Sequence, residues 1–537
     1  MQDLKKCWDP MQVFNLHKIV DTLPMDSMLR FNVGQQYAIE KELGTSAIRH
    51  AQGPKGSGTY YNWKAAFDEC KVEGATGAKN QLHALMCSIE QCNGAGDCRK
   101  SNLIGGTLCP AFKVSGDETK ATRARANVLR EILTRGWESE AFIVTNCVPQ
   151  FEKNTASNYE TQFATMKSIL KSKELAEVLD SCLACKGCRS ECPSNVDMTR
   201  LRSEILQQKY DVDGMPLRSF AVSRMATVEQ FGHIVWPLYN LFASWKFSSD
   251  IIKHIIKFAT ERDIPTLSRV TMRKAVQREC RKHQGNATKG KVYLFADEFT
   301  NFQEAELGLT FAKLLLRLGY KVEIPKHVES GRAAISKGNL KLAKKFALKN
   351  VNLLKDKISE ETPLVGIEPS CILSFRDEYP DLVPAELRSQ AQQLGRNALL
   401  FDEFIMREVA AGRISSDDFK TDAVEIWLHG HCHQKALVGT EKTVQAFKLL
   451  SGAKVHVIPS GCCGMAGSFG YEKEHYKTSL AIGEMVLFPA IRKAIENNTN
   501  VTPVIVSAPG TSCRQQILDG TGVHAVHPIE ILYRWVK

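Results

Sequence analysis

The hydrophobic rhythm of the chain changes near residue 290. Before that point apolar residues recur at helical spacing, most clearly in "TRARANVLREIL" (122–133), so helices are expected across 63–215. After it come short apolar runs, "KVYLFAD", "TPLVGIE", "NALLF", "AVEIWLH", "AKVHVI" and "TPVIVS", separated by helical segments. That alternation predicts α/β units around a largely parallel sheet. The pattern also repeats. "VYLFADEFTN" (292–301) aligns with "IWLHGHCHQK" (426–435), and "LLLRLGYKVEIP" (314–325) with "FKLLSGAKVHVIP" (447–459), at one common offset. "PLVGIEPSC" (363–371) matches "PVIVSAPGTSC" (503–513) after a short insertion. Two related α/β units in tandem are expected, facing each other across a pseudo-twofold axis. Residues 1–50 show little periodicity, and "HAQGPKGSGTYYN" (50–62) is a glycine-rich break, so 1–62 reads as an arm. The stretch 216–289 is helical, aromatic and basic.

Composition narrows the class. A chain of 537 residues is too long for one core and predicts three or four domains. Seventeen cysteines is a high number, and "MQDLKKCWDPMQVF" has no apolar leader. A cysteine-rich chain of that kind is expected in the cytoplasm, binding metal or doing redox chemistry. The net charge of +11 suits an acidic partner or an anionic membrane surface. No zinc-finger, helix-turn-helix or RNA-binding pattern accompanies it, so no nucleic-acid partner is expected. No stretch reaches the roughly 18 apolar residues of a spanning helix.

The cysteines fall into sets. "CLACKGCRSECP" places Cys182, Cys185, Cys188 and Cys192 at C-x2-C-x2-C-x3-C-P, the bacterial ferredoxin run. Zinc ribbons use two separated pairs instead. In such runs the first three thiolates hold one [4Fe–4S] cube and the fourth reaches a second. A second motif stands upstream: Cys87, Cys92, Cys98 and Cys109, again with proline after the last. Ferredoxin logic then assigns Cys182, Cys185, Cys188 and Cys109 to one cube. Cys92, Cys98 and Cys192 serve the other, with Cys87 as fourth ligand; a buried thiol without metal is the alternative for Cys87. Arg123 and Arg125 follow Cys109 on a helix, where guanidinium donors would raise a cluster's potential, unless they form an exposed basic face.

The C-terminal thiols form another constellation. Cys432 in "HGHCHQK", Cys462 and Cys463 in "PSGCCGMAGSFG", and Cys513 in "PGTSCRQQ" each follow a predicted strand. Carboxyl ends of parallel strands converge on one crevice, so these four can hold a third cluster, or form a reactive set without metal. His431 and His433 are the candidate proton donors, from the alternating trio with His429. The first repeat departs from this: Glu298 stands in place of Cys432, and Val328, Glu329 and Ser330 in place of the pair, while Cys371 remains. That unit is expected to be structural or a docking surface.

These motifs, "CNGAGDCRK", "GGTLCPAF", "TRARANVLREIL", "CLACKGCRSECPSNVDM", "GIEPSCILSFRDE", "GCCGMAGSFGYE" and "GTSCRQQI", together resemble the iron–sulfur half of large FAD-linked oxidases of the D-2-hydroxyglutarate and D-lactate dehydrogenase types. The iron–sulfur components of glycolate oxidase and of anaerobic glycerol-3-phosphate dehydrogenase (its C subunit) are more distantly similar. The resemblance covers about 90–537. Residues 7–31 are similar to the end of the family's flavin domain, although Asn15 is followed by Leu16 and His17 where the family has Pro-Gly. The resemblance implies a chain begun just after the flavin domains, with FAD on a partner flavoprotein. In the relatives the last cysteine element is C-x2-C. Here Gly510 replaces its first cysteine, which implies a four-thiolate cluster rather than a five-thiolate one.

The expected architecture is α+β and multidomain: an arm (1–62), a helical two-cluster ferredoxin-like domain (63–215), a helical connector (216–289), a degenerate cysteine-rich α/β repeat (290–421) and a second, CCG-type repeat (422–537). The expected function is electron transfer from the partner flavoprotein, oxidising a D-2-hydroxyacid, to a quinone, cytochrome or electron-transfer protein. A heterodisulfide-reductase-like enzyme with a catalytic C-terminal cluster is one rival. A quinone-reducing module peripheral to the inner membrane is another, supported by "FGHIVWPLYNLFASWKFSSDIIKHIIKFA" (231–259). The plainer expectation for that stretch is a helix pair packed over the clusters.

Overall fold

The computed structural model describes residues 59–63, 78–101, 103–141, 170–283, 288–496 and 502–537. The similarity to a flavin-domain end at 7–31 lies outside them, as does most of the arm.

The cysteine-bearing N-terminal part is helical, and short polar signals bound its helices. Ala78–Glu90 carries Cys87. Pro110 opens Pro110–Ser115 directly after Cys109, a position where its missing N–H costs nothing. The predicted helix at 122–133 runs on through Thr122–Ala141. Ser172 caps Lys173–Asp180 by accepting from Leu175 N at 3.2 Å. Asp197 caps Met198–Asp213 through Thr199 N and Arg200 N.

Every apolar run singled out above becomes a strand. The first sheet contains β1 (Lys291–Leu294), β2 (Lys321–Glu323), β3 (Leu364–Gly366) and β4 (Ala398–Leu400), in the order β2-β1-β3-β4. The second contains β5 (Val424–Leu428), β6 (Ala453–Val457) and β7 (Val504–Ser507), in the order β6-β5-β7. All pairings are parallel. The strands β5, β6 and β7 thus repeat the arrangement of β1, β2 and β3. One apolar core joins the two sheets, with Val292 and Leu294 packed in the same cluster as Ile426, Leu428 and Phe447. Met272 and Val276, from the helix Met272–Lys282 in the connector, belong to it too. A second core joins the ferredoxin helices to the first repeat, through Leu129, Leu201 and Ile205 with Ile335, Leu364 and Phe375.

That joint has an ionic centre. Lys186, from inside the downstream cysteine run, is fully buried between Asp377 and Glu378 of the first repeat, with Nζ 2.9 Å from Glu378. Burial pushes the Lys186 ammonium down, and Asp197 and Glu378 oppose it. Removing one partner of such a buried set costs about 3–5 kcal/mol, because a charge is left uncompensated.

The connector differs from the plainer expectation. Instead of a single helix pair, its part before Met272–Lys282 forms four short helices, Leu217–Ser223, Met225–Ile234, Trp236–Ser244 and Lys246–Ile256. Pro237 in the first turn of the third explains one break, since its ring disfavours continuing the preceding helix. Large apolar side chains stay in solvent: Phe231 is 67% exposed, Ile234 76% and Phe247 66%.

Candidate functional site

The downstream run folds as a tight coil. Ala184 and Lys186 adopt left-handed backbone angles, with φ of 53° and 60°, on either side of Cys185. Non-glycine residues enter that region at a cost that surrounding structure must offset. Here the reversals turn Cys182, Cys185 and Cys188 toward one another: each of Cys182 and Cys188 acts electrostatically on Cys185, and Cys182 on Cys188. Burial pushes the Cys185 and Cys188 thiols up, while N–H groups of Gly187 and Met198 donate to them.

Cys109, also left-handed at φ 50°, comes within electrostatic reach of Cys188 from the upstream motif. Cys98 is raised by burial and then by Cys109, Cys92 and Cys192. Cys192 is thus within electrostatic reach of Cys98, and Cys109 within reach of both Cys98 and Cys188. Cys87 is half-buried on its helix.

The two arginines separate. Arg125 is 1% exposed and donates to Cys109 Sγ at 3.6 Å, Val178 O at 2.9 Å and Ser181 Oγ at 2.8 Å. Burial opposes its charge, but Cys182 and Cys109 outweigh it and hold the guanidinium protonated. Arg123 touches the thiols only through its backbone N–H, 3.3 Å from Cys98 Sγ, and its side chain faces Glu118 at 3.8 Å.

The C-terminal cysteines stand at the carboxyl ends of three neighbouring strands. Cys432 begins the helix Cys432–Leu437 after β5, Cys462 and Cys463 follow β6, and Cys513 lies in the first turn of Thr511–Thr521 after β7. All four are buried. They form a chain of thiol contacts, Cys432 to Cys462 to Cys463 to Cys513. The bond with Cys462 draws the Cys432 thiol down to about 6, and His431 adds to this. Bonds with Cys462 and Cys513 bring Cys463 down as well. The turn between them is crowded: a Cβ at Gly464, which has φ 99°, would lie 2.2 Å from Ser479 O.

The histidines divide differently from the sequence expectation. His433 Nε2 lies 2.9 Å from Ala184 O, spanning to the ferredoxin coil. His431 Nδ1 accepts from His433 N at 3.1 Å, capping the helix. His429 comes against Cys463 and Cys513, one ligand atom of each within 4.8 Å of the others, while His431 acts on Cys432. The one signal for His429 in the sequence was its place directly after the β5 run, nearest of the three to the strand's carboxyl end, where ligands gather in parallel sheets.

The two thiol regions meet. Ala111, Leu183 and Cys185 form one buried cluster with Cys432, Cys462, Phe469 and Ile482. After burial, Cys432 is the next largest influence on Cys185. Gly461 lies against the upstream loop, where a Cβ would stand 3.0 Å from Gly106 O.

In the first repeat, the corresponding crevice is closed by hydrogen bonds. Glu298 accepts from Ser330 N at 2.9 Å and from Ser330 Oγ at 2.6 Å. Cys371 is buried nearby, its thiol pushed up by burial and by Glu298. Burial raises Asp297, Glu329 and Glu229 each to about 8. Glu229 has the sharpest consequence, since its Oε2 has no partner. A carboxyl raised from 4.5 to about 8 stabilises the fold fully below pH 4.5 relative to its charged form, and that contribution disappears as pH rises through about 8. Glu229→Gln is therefore expected to leave thermal stability nearly unchanged at pH 5 and to raise it at pH 9, by on the order of a few kcal/mol. Melting curves of both proteins at the two pH values check this.

With that geometry in hand, comparison with known proteins defines the class. Residues 91–197 match the family described as a 4Fe-4S dicluster domain. The chain is thus an iron–sulfur protein with a parallel-sheet part behind its dicluster domain. It is 28% identical over 466 residues to D-2-hydroxyglutarate dehydrogenase of Pantoea ananatis, covering 82% of this chain and 43% of that protein. It is 26% identical over 345 residues to the C subunit of anaerobic glycerol-3-phosphate dehydrogenase of Escherichia coli, covering 63% and 82%. Lactate utilization protein A of Macrococcus caseolyticus is 28% identical over 260 residues, covering 46% and 98%. These similarities agree with the resemblance that its motifs carry. It spans less than half the length of the D-2-hydroxyglutarate dehydrogenases it matches. No solved structure matches it.

Proposed function

We propose that the chain is the iron–sulfur electron-transfer component of an FAD-linked D-2-hydroxyacid dehydrogenase of the lactate, glycolate or 2-hydroxyglutarate type. In this reading Cys182, Cys185, Cys188 and Cys109 hold one [4Fe–4S] cluster, and Cys92, Cys98, Cys192 and Cys87 hold the other. Cys432, Cys462, Cys463 and Cys513 hold a third. FAD belongs to a partner flavoprotein, and the acceptor is a quinone, cytochrome or electron-transfer protein. Bound clusters of this kind accept electrons singly, which divides the pair released by a flavin.

One observation carries the reading: Cys185 of the downstream run and Cys432 and Cys462 of the C-terminal site share a single buried apolar cluster. Burial there excludes water from the space between two thiol sets. The N–H groups of Gly187, Met198 and Arg123, and the Arg125 guanidinium, supply donors to the sulfurs, which favour a reduced, more negative cluster. The first repeat serves as scaffold, with Glu298 and Ser330 closing its crevice and Asp377 and Glu378 holding Lys186. Protein purified without oxygen is expected to contain about eight irons for two cubes, or roughly twelve with the third site filled, with matching sulfide. Zinc in their place would sink the reading.

A second reading concerns location, and the exposed connector favours it. The apolar side chains of Phe231, Ile234, Leu241, Trp245, Phe247 and Ile255 all face solvent. Exposed Lys246 and Lys257 accompany them; Glu229 is buried, and half-buried Asp250 pairs with Lys253 at 3.5 Å. No described helix is long and apolar enough to cross a membrane. This combination suits a surface lying in the headgroup region of an anionic bilayer, such as the cytoplasmic face of an inner membrane. The whole chain is expected to sediment with anionic vesicles, and a Phe231→Glu/Phe247→Glu variant to stay in the supernatant. Equal sedimentation of both proteins would count against membrane docking.

A further inference from the structure

His429 is fully buried and sits just beyond β5. Its Nδ1 lies 2.7 Å from Ser460 Oγ, and that hydroxyl donates its own proton to Ile458 O at 3.5 Å. In the tautomer in which Ser460 accepts from Nδ1–H, the ring's lone pair lies on Nε2. Nε2 is buried with no nitrogen or oxygen partner, a rare condition at this depth. Sulfur lies beside the ring: one ring nitrogen of His429 and the thiols of Cys463 and Cys513 lie within 4.8 Å of one another. A histidine with one nitrogen pinned by a hydroxyl and thiols beside its ring has the form of a metal ligand with its supporting contact already built.

We infer that His429 is a metal ligand of the C-terminal site, its Nε2 binding an iron that Cys463 and Cys513 also approach. This rests on the reading that Cys432, Cys462, Cys463 and Cys513 hold an iron–sulfur cluster. The neighbouring histidines are held differently: His431 Nδ1 accepts from His433 N at 3.1 Å and its Nε2 stands 3.8 Å from Glu368 Oε1, while His433 Nε2 meets Ala184 O at 2.9 Å. Nor can a side chain at 510 reach the same place. A Cβ on Gly510 would lie 2.4 Å from His431 Cδ2 and 3.2 Å from Cys513 Sγ, so the space beside Cys513 is already taken. The donor set becomes four thiolates and one neutral imidazole. A neutral nitrogen in place of a thiolate leaves the cluster one negative charge poorer and raises its reduction potential.

The test uses the whole chain, produced without oxygen and labelled with 15N-histidine, reduced stepwise and measured by pulsed electron paramagnetic resonance. Wild type and His431→Gln are expected to show the strong nitrogen coupling of a directly bound imidazole. His429→Cys is expected to lose that coupling, keep its iron and shift the potential of the C-terminal cluster downward. His429→Gln, close to histidine in volume, provides a second variant in which the coupling must vanish. A cluster at this site without imidazole coupling in wild type, or coupling that survives in His429→Cys, overturns the ligand assignment and leaves the cluster reading standing. A Cys462→Ser/Cys463→Ser variant that loses no iron relative to wild type removes the cluster reading, and the ligand with it.

Discussion

Replacing Cys192 by alanine is expected to remove the cluster held by the upstream motif, not the one held by its own run. Cys192 ends the short helix Gly187–Glu191 and turns into extended backbone, with φ of −77° and ψ of 126°. Its thiol stands within electrostatic reach of Cys98. Cys109 makes the reverse crossing to Cys188. In the proposed arrangement the two motifs, well separated in sequence, exchange one thiol each. Cys192→Ala should lose about four irons of the cube pair, with the surviving resonance belonging to the downstream cube. Cys185→Ala should lose the other resonance. A Cys192→Ala protein that retains the upstream signal and loses the downstream one would show that each motif serves itself.

The second large effect is on turnover. The chain alone is expected to show no oxidation of D-lactate or D-2-hydroxyglutarate, because removing hydrogen from a C–H bond needs a two-electron acceptor that one-electron clusters do not supply. Dye reduction is expected to appear on adding the partner flavoprotein. Cys185→Ala should then lower transfer to the physiological acceptor by on the order of 100-fold or more, since losing even a contact behind a ligand costs about 10–100-fold. The position makes the case: Cys185 is the member of the downstream run packed with Cys432 and Cys462. Replacing Cys462 or Cys463 should leave the flavin's own half-reaction intact while transfer onward drops. Turnover by the chain alone, or onward transfer unaffected by Cys185→Ala in folded protein, would defeat the proposed role.

Much of this was legible in the residues themselves. Ligand spacing is a local property, so C-x2-C-x2-C-x3-C-P declared its chemistry without any fold. The strands were legible because a buried parallel strand must be apolar on both faces, and the internal repeat anticipated the matching orders β2-β1-β3 and β6-β5-β7. The connector was legible as helical but not as exposed, for a physical reason. An apolar, aromatic stretch has the same pattern whether it faces a core or the outside, and helix periodicity says which residues share a face but not what covers that face. Pro237 signalled the break between helices, yet only the packed structure leaves Phe231 and Phe247 in solvent.

The sequence by itself determined the donor types, their grouping into two ferredoxin motifs and a strand-end set, and the α/β character of the second half. Tertiary structure decided which donors meet. Cys185 and Cys432 are far apart along the chain and adjacent in the fold, because Lys186 is drawn into Asp377 and Glu378 while His433 reaches Ala184 O. The choice among His429, His431 and His433 was likewise a matter of geometry. Three identical side chains at alternating positions have equal chemistry, and only the turn after β5, with Ser460 on one side and Cys463 on the other, sets one of them apart.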